Sequence, residues 1–223
     1  MAKPKGKVKI EWSPDFAYAI GLITTDGNLS PDGRHVNFTS KDLELIKNFH
    51  RGLRIENHIS KKARGCESDK KYFVTQFGDV LFYRFLESIG LMPNKSLRLC
   101  SVSVPDEYFF DFLRGHFDGD GTFYSYWDPR WKSSYMFYTV FISASQNHIK
   151  WLQKEIHRHL GIRGHISISS HMATTKMSIA YQLKYAKAES LLLLPHIYPT
   201  TDVLCLKRKH LKIIKALSIL VKL

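Results

Sequence analysis

Two apolar stretches of similar pattern stand out along the chain, over residues 18–27 and 112–121, and each ends in Asp-Gly. Each stretch holds two small residues four positions apart, Gly21 with Thr25 and Gly115 with Gly119. Because residues four apart share one face of a helix, these spacings predict two helices whose backbones can approach closely. A glycine directly after each run is typical of a helix end.

The hydrophobic pattern around the two stretches predicts the same order of elements twice. Amphipathic periods predict helices, and alternation of apolar and polar residues predicts strands. The elements predicted for the first half are helix 14–25, a hairpin over 28–39, helix 41–53, strands 57–62 and 71–77, and helix 80–89. Those predicted for the second half are helix 105–119, strands 122–127 and 135–143, helix 147–160, strands 164–169 and 177–184, helix 186–194, and a basic helix over 207–223.

The repeated αββαββα order predicts an α+β fold of two pseudo-symmetric halves. Each half would form a saddle-shaped antiparallel sheet, and the two motif helices would pack together between the halves. The predicted boundaries are a flexible basic arm over 1–12, a first half over 13–104 and a second half over 105–223. The polar, basic faces of the strands would turn away from the helices, toward a partner.

The acid before each final glycine occupies an unfavourable position for a carboxylate. Asp26 and Asp120 lie at predicted helix C-termini, where the dipole and the free carbonyls already present negative charge. If the two helices pair side by side, both carboxylates and several carbonyls meet at one end, which suits a hard divalent cation such as Mg²⁺. A simple turn would explain one Asp-Gly alone. Two copies with the same spacing in a basic chain favour the metal site.

The charge balance indicates the class of partner. Thirty-three Lys and Arg residues against twenty Asp and Glu residues give a net charge of +13. This excess predicts a polyanionic partner, with nucleic acid as the first choice. An anionic membrane surface fits less well, because no apolar run approaches spanning length.

The cysteine pattern and the basic start of the chain bear on where the protein works. Cys66, Cys100 and Cys205 are scattered and odd in number, which predicts neither a disulfide framework nor a zinc site and favours a reducing compartment inside the cell. Residues 1–9 are basic but no apolar signal-peptide core follows them, so secretion is not expected.

The two stretches resemble the paired motifs of LAGLIDADG homing endonucleases. The first copy matches the motif at Gly21, Leu22, Ile23, Asp26 and Gly27, and it departs at Thr24, where the family often has an acid. The second copy matches at Leu113, Gly115, Asp118, Asp120 and Gly121. In the family, the acid before the final glycine is catalytic and binds metal, which carries over to Asp26 and Asp120. Two motifs in one chain are similar to the single-chain members, which are pseudo-symmetric monomers.

The resemblance implies a site-specific double-strand DNA endonuclease. It would recognise a long DNA target, hydrolyse one phosphodiester per strand across the minor groove and leave short 3′ overhangs. Mg²⁺ is the expected cofactor, Mn²⁺ can substitute for it, and Ca²⁺ can bind without supporting cleavage. The carbonyls of Thr25 and Gly119 would complete the metal shell beside the two acids.

The resemblance also implies a basic residue near the attacking water in each half. The matching residues are Lys95 and Lys207, with Lys209 as an alternative to Lys207. Polar groups that position water are expected at the strand-to-helix junctions, where the weaker candidates are Ser40, Lys41, Ser145 and Gln146.

The strands supply candidates for contact with DNA, since an antiparallel ribbon can enter the major groove. At least half of the residues that touch DNA are expected to contact its backbone. The candidates are Arg34, Asn37, Thr39, Lys61, Lys62, Arg64, Lys70, Lys71, Gln76, Tyr124, Tyr126, Arg130, Lys132, Ser167, Ser169, Lys176 and Gln182.

Two alternatives share the same fold. One is a DNA-binding regulator that does not cleave, and the other is an RNA maturase, whose partner would be intron RNA. Two intact acids argue against a loss of cleavage, and they leave open a dual role as endonuclease and maturase.

Overall fold

The computed structural model describes residues 6–63, 69, 71–131, 133–173 and 176–220, and all of their side chains except those of residues 170–178. Among the candidates for DNA contact, Arg64, Lys70 and Lys132 lie outside the described residues, as does the side chain of Lys176.

The first half alternates helices with paired strands. Its elements are α1 (Pro14–Asp26), β1 (Gly27–Leu29), β2 (His35–Ser40), α2 (Leu43–Leu53), β3 (Ser60–Lys62), β4 (Tyr72–Gly78) and α3 (Val80–Ser88). The four strands form one antiparallel sheet in the order β1-β2-β4-β3.

The second half repeats this order and adds one helix. Its elements are α4 (Phe109–Asp120), β5 (Thr122–Trp127), β6 (Tyr135–Ser143), α5 (Gln146–Leu160), β7 (His165–Ala173), β8 (Lys176–Tyr185), α6 (Lys187–Ile197) and α7 (Lys207–Leu220). Its antiparallel sheet has the order β5-β6-β8-β7. The predicted α+β fold with two four-stranded sheets is confirmed.

Helix α1 runs through the centre of the molecule. The Ser13 hydroxyl accepts a hydrogen bond from the Phe16 amide at 3.2 Å, and Pro14 occupies the first turn, so the local sequence fixes where the helix begins. Residues 16–24 are all buried, which explains why the helix lacks a polar face. No described helix is long and apolar enough to cross a membrane.

The two motif helices touch backbone to backbone. A methyl group on Gly21 would overlap the carbonyl oxygen of Phe112, and one on Gly115 would overlap the carbonyl oxygen of Tyr18. The close approach expected from the small-residue spacing is therefore confirmed, and glycine is the residue that permits it.

Each sheet is covered by helices on one face only. Val36, Phe38 and Phe77 are buried on the first sheet, and Phe123 and Phe137 on the second. Because successive residues of a strand alternate between faces, the residues between them lie on the opposite, outward face.

Two regions differ from the sequence-based expectation. The basic arm is not free over its described part, because Val8 is buried and the amides of Lys7 and Val8 donate to the Asp79 carboxylate at 2.5 and 2.9 Å. The C-terminal helix α7 follows the second half in sequence but contacts both halves. Arg208 pairs with Asp42 of the first half at 2.7 Å, and Lys212 donates to the Phe123 carbonyl of the second half at 2.7 Å.

Candidate active site

The C-terminal ends of α1 and α4 lie side by side, which brings Asp26 and Asp120 to the same end of the helix pair. A methyl group on Gly119 would overlap the hydroxyl of Thr25 and would lie 3.4 Å from a carboxylate oxygen of Asp26. The last turn of α4 is therefore in contact with the acid of α1. Neither helix has a basic residue in its last turn, so any compensating charge must come from elsewhere in the fold.

The surroundings of the two acids disfavour their ionised forms. Burial, and then the charge of Asp120, raises the pKa of Asp26 to about 7, although Lys209 and Lys95 act in the opposite direction. Asp120 as a whole residue is the more solvent-exposed of the two. Desolvation of its carboxyl group nevertheless raises the pKa of Asp120, although Lys209 and Lys95 act in the opposite direction. Two carboxylates that repel each other in this way form a site that a cation would stabilise.

Two lysines offset the negative charge of the carbonyls at the C-terminal ends of α1 and α4. The Lys95 ammonium donates to the Gly27 carbonyl and, at 3.4 Å, to the Thr25 carbonyl. The Lys209 ammonium donates to the carbonyls of Phe117, Asp118, Gly119 and Gly121 at 2.7, 2.8, 3.2 and 2.6 Å. Burial lowers the pKa of each lysine to about 8. The pair therefore repeats the pseudo-symmetry of the two acids.

The structure corrects the position expected for Lys207. Lys207 is exposed, and its backbone amide donates to Glu44 at 3.1 Å on the side of α2. Residues two apart do not share a helix face, so Lys209, and not Lys207, reaches the end of α4.

The chain segment that leads to Lys209 is tied to α4 by two buried charged side chains. The Asp118 carboxylate is fully buried and accepts from the hydroxyls of Tyr18 and Tyr198 at 2.9 and 2.6 Å and from the Leu206 amide at 2.6 Å. One helical turn earlier, the Arg114 guanidinium donates to backbone carbonyls of the same segment at 2.8 and 3.2 Å.

The first motif has no equivalent of this network. Thr24 is the residue of α1 that corresponds to Asp118, and its hydroxyl donates to the Ile20 carbonyl of its own helix at 2.8 Å. Sequence reasoning recorded Asp118 only as a motif match and missed its partners. The signal available was an acid and an arginine four residues apart within a largely apolar helix.

Two cavities open beside the acids. One, of about 410 Å³, lies beside Asp26 and is lined in part by Thr39, Lys62, Tyr72 and Lys95. The sequence singled out Thr39, Lys62 and Lys95 and missed Tyr72. A smaller cavity, of about 150 Å³, lies beside Asp120; its lining includes Thr25 and Lys95 and also Ser96 and Ser143, which the sequence did not single out.

Ser40 and Ser145 make hydrogen bonds at the starts of helices, and their role in positioning water stays a prediction. The Ser40 hydroxyl is buried and accepts from the Asp42 amide at 3.1 Å just before α2. The Ser145 hydroxyl caps α5 by accepting from the His148 amide at 3.4 Å, and it donates to the Leu99 carbonyl at 2.5 Å. Both are start signals for helices.

The other two junction candidates are exposed. The Lys41 ammonium lies 5.2 Å from the centre of the Tyr72 ring, and Gln146 begins α5. Lys41 therefore adjoins a residue of the Asp26 cavity, whereas Gln146 does not line either cavity.

The residues present fit a hard divalent cation in part. Asp26 and Asp120 offer carboxylate oxygens. The Thr25 and Gly119 carbonyls make only long hydrogen bonds to the lysines, at 3.4 and 3.2 Å, so their oxygens could also bind a cation. Over the described residues, no group of three His, Cys, Asp or Glu side chains could hold a metal ion. A cation here would therefore need oxygens from water or from a bound phosphate to fill its shell.

The predicted DNA contacts fall into three groups by location. Members of the first group lie, by strand register, on the outward sheet faces: Asn37, Thr39, Lys62, Gln76, Tyr124, Tyr126, Ser167, Ser169 and Gln182. Members of the second group pair with a nearby acid: Arg34 with Asp32, Lys71 with Asp69 and Arg130 with Asp128. Lys61 is separate, because its ammonium lies over the Phe73 ring on the opposite face of β3 from Lys62.

Comparison with known proteins identifies the fold. No family model and no curated protein sequence matches the chain. Among solved structures, the LAGLIDADG meganuclease I-AabMI bound to uncleaved DNA is 14% identical, with 95% of this chain and 92% of that chain covered at a TM-score of 0.60. The homing endonuclease I-LtrWI bound to target DNA is 12% identical, with 94% and 91% covered at a TM-score of 0.59.

The same fold also occurs outside those two nucleases. The N-terminal LAGLIDADG domain of WhiA is 15% identical, with 86% of this chain and 85% of that chain covered at a TM-score of 0.51. The chain therefore has the LAGLIDADG fold, as the two motifs indicated, and its chemistry has to be argued from the site.

Proposed function

We propose that this protein is a divalent-metal-dependent endonuclease that cleaves double-stranded DNA at a specific site. The observation that carries the proposal is the convergence of Asp26 and Asp120 at one end of the helix pair, with the buried Lys95 at the end of one helix and the half-buried Lys209 at the end of the other. That end adjoins the outward faces of both sheets, since β1 and β5 begin directly after the two motifs. A duplex lying across both faces would present its phosphates to the acids.

Asp26 and Asp120 would hold the cation, together with the Thr25 and Gly119 carbonyls. When bound, a divalent ion would activate water and stabilise the charge that develops on the phosphate and on the leaving 3′ oxygen. Mg²⁺ is the ion we propose. One acid per motif gives each strand of the duplex its own carboxylate, which accounts for the repetition of the motif in a single chain acting as a monomer.

Lys95 and Lys209 would transfer protons at the same site and stabilise negative charge there. With pKa values of about 8, each can give up or accept a proton near neutral pH. In the protonated form, each stabilises the negative charge of a phosphate drawn into the site. Their hydrogen bonds to the helix-end carbonyls hold both ammonium groups in place before DNA binds.

A second function, binding of nucleic acid without cleavage, is favoured by one observation. Lys209 and Lys95 already lower the pKa of Asp26 against the effect of burial, so the acids are partly compensated without a metal. A protein that binds in this way would use the same sheets and would need no cation.

The experiment that separates these functions is incubation of the protein with a randomised duplex library, in Mg²⁺ and in EDTA, followed by sequencing of the ends. Breaks at one long site with short 3′ overhangs, present in Mg²⁺ and absent in EDTA, support the endonuclease. Tight binding to a selected duplex with no break supports the regulator. Binding to structured RNA alone supports the maturase.

A further inference from the structure

The outward face of the second sheet carries a row of tyrosines. Tyr124 on β5 lies directly opposite Tyr138 on β6, and Tyr126 lies opposite Met136 in the same register. The Tyr138 ring stacks on Tyr124, with centres 5.2 Å apart and planes 19° apart, and on Tyr126, with centres 6.4 Å apart and planes 7° apart. Tyr124 and Tyr126 are 37% and 41% exposed although they are large and aromatic. We call Tyr124, Tyr126 and Tyr138 the tyrosine row.

The first sheet presents a different chemistry on the equivalent face. Asn28, Asn37 and Gln76 lie side by side across β1, β2 and β4, because Asn28 pairs with Asn37 and Asn37 pairs with Gln76. Asn28 and Gln76 are exposed and Asn37 is partly exposed. We call these three residues the amide row. Carboxamides suit hydrogen bonding to adenine edges in the major groove, whereas a row of rings with Met136 beside it offers mainly apolar contact.

The stacking decides how the tyrosine row can contact a partner. Because Tyr138 stacks on both of its neighbours, its ring is less available than an isolated ring for stacking on an unpaired base. The surface left open consists of ring edges and hydroxyl groups. Ring edges pack well against small apolar groups. In the major groove of duplex DNA, the apolar group that base pairs present is the thymine methyl.

We propose that the two sheets read the two halves of the DNA target by different chemistry. The tyrosine row and Met136 contact thymine methyl groups in one half-site, and the amide row reads the other half-site by hydrogen bonds. This inference rests on the proposed binding of duplex DNA and does not require cleavage. It predicts that the half-site under the second sheet is rich in A·T pairs whose methyl groups face the protein.

The test uses the duplex selected from the library and measures its dissociation constant in EDTA, so that no cleavage occurs. Deoxyuridine replaces thymine one position at a time, which removes only the methyl group. Burial of one methyl corresponds to a roughly fourfold change in affinity. We expect a loss of about this size at two or more positions of one half-site and none in the other half-site. The variant Asn37→Ala identifies the half-site under the first sheet, because it relaxes base preference there alone.

The variants Tyr124→Ala and Tyr126→Ala should abolish the discrimination between thymine and deoxyuridine. Tyr124→Phe should keep it, because the ring edge remains, and Asn37→Ala should also keep it. Equal effects of deoxyuridine in both half-sites, no effect in either, or discrimination that survives the alanine variants would overturn the inference while leaving the endonuclease proposal intact. Tighter binding to single-stranded, uracil-rich RNA than to the duplex would overturn it as well. Failure to bind any duplex would overturn both.

Discussion

The Asp118 carboxylate accepts a hydrogen bond from the Leu206 amide at 2.6 Å, and this contact joins the second motif helix to the segment that ends in Lys209. Asp118 lies two residues before Asp120, which we propose as a metal ligand, and Leu206 lies three residues before Lys209, whose ammonium caps the same helix. The motif helix therefore carries one acid at the proposed metal site and a second acid that holds the segment before Lys209 by a hydrogen bond.

We expect Asp118→Asn to weaken this connection. Asp118 accepts three hydrogen bonds, and an amide NH₂ group would face at least one of these donors, so one buried donor loses its partner. The expected cost is about 1–3 kcal/mol in the free energy of unfolding. Because Lys209 serves one half of the site, cleavage of one strand should slow more than cleavage of the other, and a nicked plasmid should accumulate.

Thr24→Ser provides the matched control in the first motif. Its hydroxyl can keep the bond to the Ile20 carbonyl, so the ratio of nicked to linear plasmid should not change. A general loss of stability in Asp118→Asn that leaves this ratio unchanged would show that Asp118 does not position Lys209.

The two lysines of α7 should behave differently. Lys209→Met removes the ammonium that caps α4 beside the acids, and we expect a loss of cleavage rate of about 10²–10⁴-fold with DNA binding largely retained. Lys207→Met removes an exposed charge and should only reduce affinity and its dependence on salt. Single-turnover rates at saturating protein, measured beside titrations of binding, separate the two effects. Equal loss of rate in both variants would contradict the assignment.

The choice between these lysines shows where sequence reasoning stops. Helical periodicity and the two pairs of small residues were enough to predict that α1 and α4 touch and that Asp26 and Asp120 meet. Which face of α7 turns inward depends on contacts made by residues far away in the sequence, such as the bond from the Asn48 amide to the Cys205 carbonyl at 2.8 Å. No local pattern around residue 207 contains that information. For the serines at the strand-to-helix junctions, a local pattern supplies a second explanation, since the hydroxyls of Ser40 and Ser145 accept hydrogen bonds from amides at or near the start of a helix.

Asp26 should make both stability and metal binding depend on pH. Its pKa in the folded protein is about 7, above the ordinary value of 3.8, so the folded state holds its proton more tightly than the unfolded chain. The protonation of Asp26 therefore contributes to the free energy of unfolding. This contribution is fully present below pH 3.8 and is lost progressively as the pH rises through 7. Without metal, Asp26→Asn should therefore raise the free energy of unfolding relative to wild type at pH 8 and much less at pH 4.

The same protonation should oppose the cation. Since metal ligands must be deprotonated, the Mg²⁺ concentration needed for half-maximal cleavage should increase as the pH falls below 7. Denaturant unfolding at both pH values and Mg²⁺ titrations at pH 6 and 8 measure these effects. A Mg²⁺ requirement that does not change between pH 6 and 8 would contradict the role given to Asp26.

The helix contact should tolerate no side chain at its two glycines. We expect Gly115→Ala to cost roughly 1–3 kcal/mol or more, because the new methyl overlaps the Tyr18 carbonyl and the helices must separate. Gly33→Ala is a useful comparison, since Gly33 has a φ of +73° but open space around it, and it should cost only about 1 kcal/mol. Thermal unfolding measures both. A larger effect at Gly33 than at Gly115 would contradict the close packing of α1 and α4.

The most direct test of the central claim is strand-resolved cleavage of the selected duplex by the wild-type protein and by Asp26→Asn and Asp120→Asn in Mg²⁺. We predict that the wild type cuts both strands with short 3′ overhangs. Each single variant should bind the duplex as tightly as the wild type but lose cleavage of at least one strand, and the double variant should cut neither. Full double-strand breaks by the double variant would show that these two acids do not form the active site.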